Sequence, residues 1–429
     1  MTDIANTPAD PQGSGIDDCS SGHAGHALPV AAARERLLSL VRPIEETEQL
    51  PLARLPGRVL AEVVSSTIAV PGWDNSAMDG YALRAEDLAG DARLDVVATV
   101  YAGHPFHGRV GPGQCVRIFT GAPVPEGADT VVMQEQVRLG DDGRIGFTRV
   151  PRPGDNIRPA GEDIARGAQV MGPGTLLRAA EVGVLASIGR ASARVYRRPR
   201  VAVLATGDEL VPPGQPLGPG QIHDSNSATL AAMLGRLGAE VVDLGHAEDD
   251  PATLERLFRE AAAGCDAIST AGGVAVGDAD HVMPTLKRIG ELHLWKIAMR
   301  PGRPLAFGRV EGCWFFGLPG NPVSVMATFH QIVQPALQRM MGMAPREPLT
   351  LRARLQGALR KKPGRTEFSR GILRHDGDGR LVVASAGRQG SGILTSMIHA
   401  NCFIVVPQEA GSLEDGAQVD VQPFDGFVW

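Results

Sequence analysis

A chain of 429 residues is too long for one ordinary domain, and its 53 glycines and 32 prolines imply many turns and several joints, so three or four domains are expected. A formal charge of −6 and 4% aromatic residues supply neither the basic field nor the stacking platforms of a nucleic-acid binder. No apolar run approaches membrane-spanning length, and Cys19, Cys115, Cys265, Cys313 and Cys402 lack CxxC spacing, which points to no disulfide framework or zinc knuckle and fits a reducing, cytoplasmic setting.

Residues 1–27 are small, polar and rich in Gly, Ser and Asp, and carry too little apolar surface to offset the entropy of ordering. A disordered tail is expected there, with His23 and His26 solvated. From Pro29 the segment PVAAARERLLSLVRPI places Val30, Leu37, Leu38 and Val41 on one helical face. With residues 28–57 and 152–196 it is assigned to an N-terminal α+β linking domain.

Residues 58–151 read as a small β-rich domain. A β-branched run, RVLAEVVSSTIAV, leads into PGWDNSAMDGYALRAED, where Asp74, Asn75, Ser76, Asp79 and Gly80 stand beside Trp73 and Tyr81. Such polar density is either a capped turn or a binding loop. Leu94–Val100 and Cys115–Phe119 are short strands, and in RIFTGAPVPEGADTVVM the turn at Thr120 and Gly121 and two stiffening prolines suit a positioning role. GDNIRPAGEDIARG then carries Arg158, Glu162 and Asp163 before a helical pattern, LLRAAEVGVLASIG.

After a joint at RRPR (197–200), strands and helices alternate. VAVLAT, EVVDLG and CDAIST are strand-like, NSATLAAMLGRLG is a helix with Asn226 as its cap, and PATLERLFREAAAG is a second helix. A third helix around 281–290, then HLWKIAM, PLAFGRV and WFFGLPGNPVSVMATFHQIVQPALQRMMG, complete a doubly wound, mostly parallel α/β domain over 197–345. Ligands of such folds lie beyond the carboxyl ends of the strands. Those ends carry Thr206 to Glu209, Asp249 and Asp250, a glycine loop, and Pro319 to Asn321. From 346 to 429 the chain is strand-like and glycine-rich, as expected of a small β barrel.

The glycine loop, CDAISTAGGVAVGDAD, is the chemical centre of this pattern. Gly272, Gly273 and Gly277 remove the Cβ atoms that would keep a ligand from backbone amides. Asp278 and Asp280 add carboxylates that would repel a bare phosphate. Together they suggest a divalent cation, such as magnesium, shared between phosphate and protein oxygens.

The peptides PGWDNSAMDGYA, FTGAPVPEGADTVV, NIRPAGEDI, LATGDEL, TAGGVAVGDAD, WKIAMRPGRPLAFG and GLPGNPVSV, in this order, resemble the molybdopterin molybdenumtransferase family of MoeA proteins and the gephyrin E domain. The resemblance covers nearly all of the chain after the tail and implies a doubly wound, MogA-like α/β domain, N-terminal α+β and small β domains, and a C-terminal β barrel. It implies a transferase that inserts molybdate into adenylylated molybdopterin, releasing AMP and molybdenum cofactor. Carried over residue by residue, it assigns reaction roles to Asp74, Thr120, Asp163, Glu209, Asp249 and Asp280. Substrate binding falls to Arg158, Gly272, Gly273, Gly277, Lys296, Arg300, Arg303, Pro319 and Pro322, and Mg²⁺ to Glu209, Asp249, Asp278 and Asp280. Ala271 and Ala275 stand where the family usually has serines, and Arg300 and Arg303 where it usually has lysines.

The resemblance also implies an elongated homodimer in which Asp74 acts in trans on the partner's pterin pocket. It further implies transient contact with a molybdopterin adenylyltransferase and with molybdoenzyme maturation proteins. Two other functions share parts of the pattern: a molybdopterin adenylyltransferase, which would resemble the 200–345 region alone, and a non-catalytic gephyrin-like scaffold. The DNSAMDGYA and GEDI stretches and the charged motif residues favour the molybdate-inserting enzyme.

Overall fold

The computed structural model describes residues 27–88, 92–148, 151–248, 250–273 and 281–424. Residues 1–26, on which the expected tail falls, lie outside this set, as do Asp249, Gly277, Asp278 and Asp280. The chain divides into two units, Thr47–Val195 on one side and Met1–Glu46 with Tyr196–Trp429 on the other. The division falls just before the RRPR stretch expected to be a joint.

Among the described residues the Thr47–Val195 unit has three hydrophobic clusters, and Leu83, Leu88, Leu94, Cys115, Val132 and Ile145 form the first. The second holds Ala82, Val100, Val116, Ile118 and Val131, inside a six-stranded sheet whose order is Thr130–Met133, Gly80–Leu83, Gln114–Ile118, Arg93–Val100, Ile145–Phe147, Val137–Leu139. The third gathers Leu55, Leu60, Val64, Leu177, Leu185 and Val195, and packs the helix Ala179–Ser187 onto short strands from both ends of the segment.

In the other unit, six strands form the doubly wound sheet: β1 (Arg200–Thr206), β2 (Glu240–Ala247), β3 (Ala267–Ala271), β4 (Gly290–Lys296), β5 (Pro304–Val310) and β6 (Cys313–Leu318). The order is β2-β1-β3-β6-β5-β4, with β2, β1, β3 and β6 mutually parallel and β5 and β4 added antiparallel at one edge. Two short loops join β4, β5 and β6, and connections this short cannot make a parallel crossover. The central parallel strands β1, β3 and β6 are buried on both faces, which is why their sequences run apolar without alternation, whereas the edge strand β2 is only part-buried.

The helices Asn226–Leu237, Pro251–Gly264 and Val282–Ile289 cover this sheet, and Leu204, Phe258, Ile268, Leu286 and Phe315 form its core. The long helix after β6 is not continuous: Pro322–Thr328 and Gln334–Met340 are joined by a π-helical turn, Phe329–Val333. The N-terminal helix, Val30–Leu40, packs against Gln334–Met340. Residues 28–46 therefore belong with the doubly wound sheet, a correction to their grouping with the linking domain. The helix has a buried face of Val30, Ala33 and Leu37, and sequence periodicity shows such a face without showing what covers it.

The C-terminal strands Leu351–Gln356, Thr366–His375, Leu381–Ser385, Cys402–Val406 and Gln418–Pro423 form a sheet closed by pairing of Thr366–His375 with Cys402–Val406. This is the expected barrel. A short strand, Met299–Arg300, lies parallel to Thr366–Glu367, with the Thr366 amide donating to the Ala298 carbonyl at 2.8 Å.

Phe258 is fully buried, with its ring edge-on to Phe315 at 5.9 Å. The substitution Phe258→Ala should cost about 3–5 kcal/mol, read as a lower urea midpoint. A midpoint equal to wild type would mean that this cluster does not hold the sheet.

Candidate active site

The carboxyl ends of the parallel strands lie level with one another. Ala205 pairs with Ala271, Ala271 with Leu318, and Thr206 with Ala247, so the loops that follow β1, β3 and β6 open on one rim. Gly272 and Gly273 leave β3 with φ of +102° and +65°, and Gly320 follows β6; a Cβ at Gly320 would lie 3.7 Å from the Gly272 Cα. Two bare backbones therefore face each other at this rim. The carboxamide Nδ2 of Asn226 donates to the Gly320 carbonyl at 2.8 Å and fixes one of them. Asn226 is not the helix cap expected from the sequence. Asp224 takes that role, its Oδ1 accepting from the amides of Asn226 and Ser227 at 2.9 and 3.0 Å, and the carboxamide is left for the loop.

Two cavities share this glycine floor. The first, 670 Å³, is lined by Gly272, Gly273, Gly320 and Asn321 together with Arg300, Arg303, Arg365 and Arg370. Arg370 is only 1% exposed and donates from Nε to the Ser396 Oγ at 3.1 Å and from Nη2 to the Gly390 carbonyl at 3.0 Å. Burial pushes its guanidinium value down, against the pull of Glu367. Among the described residues it is bonded to no carboxylate, so a buried cation faces the cavity with neutral partners only. Arg300 is half-exposed and pairs loosely with Glu367 at 3.6 Å, a contact of little net stability. An entering oxoanion can take over such a guanidinium at small cost.

The second cavity, 610 Å³, extends from the same floor past Thr206, Gly207, Glu209, His223, Asp224 and Leu394. The Glu209 carboxylate folds back over Gly207, where a Cβ would lie 2.6 Å from Oε2. Pro319 lines the first cavity and Pro322 the second. Lys296 lines neither; it ends β4 with an exposed side chain. Asp250, at the end of β2, spends its carboxylate on the next helix, its Oδ2 accepting from the Thr253 amide at 2.8 Å.

The barrel residues Arg365, Glu367, Arg370, Gln389 and Ser391 were not singled out by sequence reasoning. The one available signal was an arginine, Arg370, in a strand otherwise buried around it.

In the Thr47–Val195 unit, the DNSAMDG stretch is the spine of a second cluster. Asn75 and Ser76 pair with Arg158 and Ile157 on one side, while the Ser76 backbone exchanges hydrogen bonds with Gly121 and Ala122 on the other. The Asp74 carboxylate accepts from the Ala160 amide at 2.7 Å, and the Asp163 amide donates to the Val70 carbonyl at 3.0 Å. Thr120 donates both its amide and its hydroxyl to Asp79 Oδ1 at 2.8 Å. Those two bonds, the amide's first, hold the Asp79 carboxyl below the usual carboxylate range, helped by the charge of Arg117. Arg117 is itself stacked between Tyr81 and Phe119. Asp74, Thr120, Arg158 and Asp163 are thus on loops hydrogen-bonded to one spine, with their side chains exposed. The loop is both a capped turn and a rigid presentation surface.

Residues 28–189 match the family described as MoeA N-terminal region (domain I and II), 202–339 the probable molybdopterin binding domain, and 352–424 the MoeA C-terminal region (domain IV). The chain belongs to the MoeA family. It is 43% identical to a molybdopterin molybdenumtransferase of Haemophilus influenzae, over 94% of this chain and 100% of that protein. A protein of the same description from Nostoc sp. is 39% identical over 87% of this chain and 88% of its own length. A crystal structure of the molybdopterin biosynthesis moeA protein from Pyrococcus horikoshii superposes with a TM-score of 0.80 at 30% identity, covering 93% of this chain and 100% of that one. Like its family, the chain is an enzyme of molybdenum cofactor biosynthesis.

Gly302, in the turn between Arg300 and Arg303, has φ +89°, and a Cβ there would lie 2.3 Å from the Thr328 Oγ1. Gly302→Ala should destabilise the protein by roughly 1–3 kcal/mol and displace both arginines. An unchanged thermal midpoint with unchanged molybdate response would show that the turn tolerates the side chain.

Proposed function

We propose that the two cavities over the glycine floor hold adenylylated molybdopterin and molybdate, and that the enzyme inserts the metal with release of AMP. What carries the reading is the convergence of Arg300, Arg303, Arg365 and Arg370 on one 670 Å³ cavity that shares Gly272, Gly273 and Gly320 with a neighbour. Molybdate is a tetrahedral dianion and suits guanidinium forks. A phosphoanhydride suits bare backbone amides. The substrate's dithiolene sulfurs replace oxygens of the oxoanion, which leave as water once protonated, and attack of a water on the phosphoanhydride breaks its phosphorus–oxygen bond, giving AMP and the pterin's terminal phosphate. Arg370, already held by Ser396 and Gly390, neutralises the oxoanion without reorganising during the reaction, and Arg300 swings from its loose pair to join it.

Magnesium belongs to the same proposal. Among the described residues no group of three His, Cys, Asp or Glu side chains is placed to hold a metal ion. Of the four carboxylates expected to do so, only Glu209 is described, and it stands at the rim of the second cavity as an oxygen donor of the right chemistry. Asp249, Asp278 and Asp280 would complete the set, and a bound cation would withdraw charge from the phosphate oxygens. Lys296 is proposed to act on the oxoanion from outside the two cavities. Asp74, Thr120, Arg158 and Asp163 are proposed to act in trans, on substrate held by the partner subunit of a homodimer. The proposal includes a homodimer, and transient contact with the adenylyltransferase that supplies the substrate and with maturation proteins that receive the product.

Arg300→Ala should fold normally, because the side chain is half-exposed and its ion pair is loose, and should need on the order of tenfold more molybdate for half-maximal AMP release. An unchanged molybdate dependence would make Arg300 structural. Glu209→Gln should lose most turnover and respond weakly to added magnesium. Full activity of the unaltered enzyme in chelator would remove the cation from the reaction.

A further inference from the structure

Thr206, the last residue of β1, is 4% exposed, and that exposure opens on the second cavity. Its backbone is committed to the ladder with Ala247. Its hydroxyl makes no hydrogen bond among the described residues. Ser269 and Thr270 on the neighbouring strand also carry unpartnered hydroxyls, but theirs are sealed from any ligand. The Thr206 Oγ1 instead lies 3.1 Å from the position a Cβ would take on Gly273. The Val282 Cγ2 lies nearer that position, at 2.6 Å, so the hydroxyl is reached from the cavity that Thr206 lines and not across Gly273. The Gly273 amide likewise has no partner among the described residues. Two neutral donors are thus close together, one O–H on a residue that lines the second cavity and one N–H on a residue that lines both.

We propose that the Thr206 hydroxyl donates directly to a non-bridging oxygen of the substrate's phosphoanhydride. This rests on the functional reading given above and adds a binding residue to it. A buried hydroxyl without a partner costs free energy in the empty protein, and an anionic oxygen is the acceptor that recovers most of it. The linkage joining the two halves of the substrate is the part that must cross the shared floor. Glycine backbones there offer amides, and Thr206 is the side-chain donor beside them. The arginines line the first cavity and not the second, and on this reading they take the oxoanion.

The test compares wild type with Thr206→Val, which keeps the shape and loses the hydroxyl, and Thr206→Ser, which keeps the hydroxyl. Thermal midpoints are measured without ligand, and saturation is followed with AMP and with adenylylated molybdopterin. The unliganded Thr206→Val protein should melt at or above the wild-type midpoint, since no hydrogen bond is lost. Its half-saturating concentration for both ligands should rise on the order of tenfold, while Thr206→Ser stays close to wild type. Wild-type saturation by Thr206→Val would overturn the proposal, as would a valine-like response of Thr206→Ser, which would assign the effect to methyl packing. A lowered unliganded midpoint for Thr206→Val would show that the hydroxyl has a partner in the free protein, and would overturn it too. Failure of wild type itself to bind adenylylated molybdopterin would remove the functional reading beneath it, an outcome distinct from wild-type binding with an indifferent valine variant.

Discussion

The site depends on a seam of backbone hydrogen bonds between two folds. Met299–Arg300 lies as a short parallel strand on Thr366–Glu367, and the Val323 amide donates to the Ser391 carbonyl at 3.1 Å. Together with a buried bond from Gln331 Nε2 to Gln422 Oε1 at 2.8 Å, these bonds set the buried arginine of the barrel against the glycine floor of the doubly wound sheet. Backbone pairing fixes direction as well as distance, because a strand cannot shift register by one residue without turning its side chains over. Arg300 and Glu367 are directly paired in this ladder, so the cation of one fold and the carboxylate of the other are positioned by the main chain.

Charge is distributed unevenly across the floor. The net charge of −6 says nothing of the local field, since Arg300, Arg303, Arg365 and Arg370 line one cavity while Glu209 and Asp224 line the next. Burial makes Arg370 costly in the empty protein, because hydroxyl and carbonyl partners replace water without cancelling the charge. On the proposed function, an oxoanion bound there would offset the cost of the buried Arg370 guanidinium, and a phosphate oxygen would do the same for the Thr206 hydroxyl.

Sequence patterning revealed the doubly wound domain because strands buried on both faces leave uninterrupted apolar runs, as VAVLAT and CDAIST do, with glycine and acid at their ends. The strand ends singled out Gly272, Gly273 and Glu209, the family resemblance added Arg300 and Arg303, and all five line the two cavities. Arg365, Arg370, Gln389 and Ser391 escaped notice because they come from a barrel more than sixty residues further along, and only tertiary pairing brings them to the floor. The N-terminal helix was misplaced for a related reason: an amphipathic face does not name its partner. Asn226 looked like a cap because Asn is a good one, yet Asp224, two residues earlier, bonds the helix amides more strongly as a charged acceptor.

The central claim is that the paired cavities hold an adenylylated pterin over the glycine floor. Mass spectrometry of the pterin that copurifies with the protein, expressed under molybdate starvation, tests it most directly, since substrate should then accumulate on the enzyme. The account requires adenylylated molybdopterin, discharged as AMP when molybdate is added. A pterin bound only without its adenylyl group, or a bound species that releases no AMP with molybdate, would contradict it.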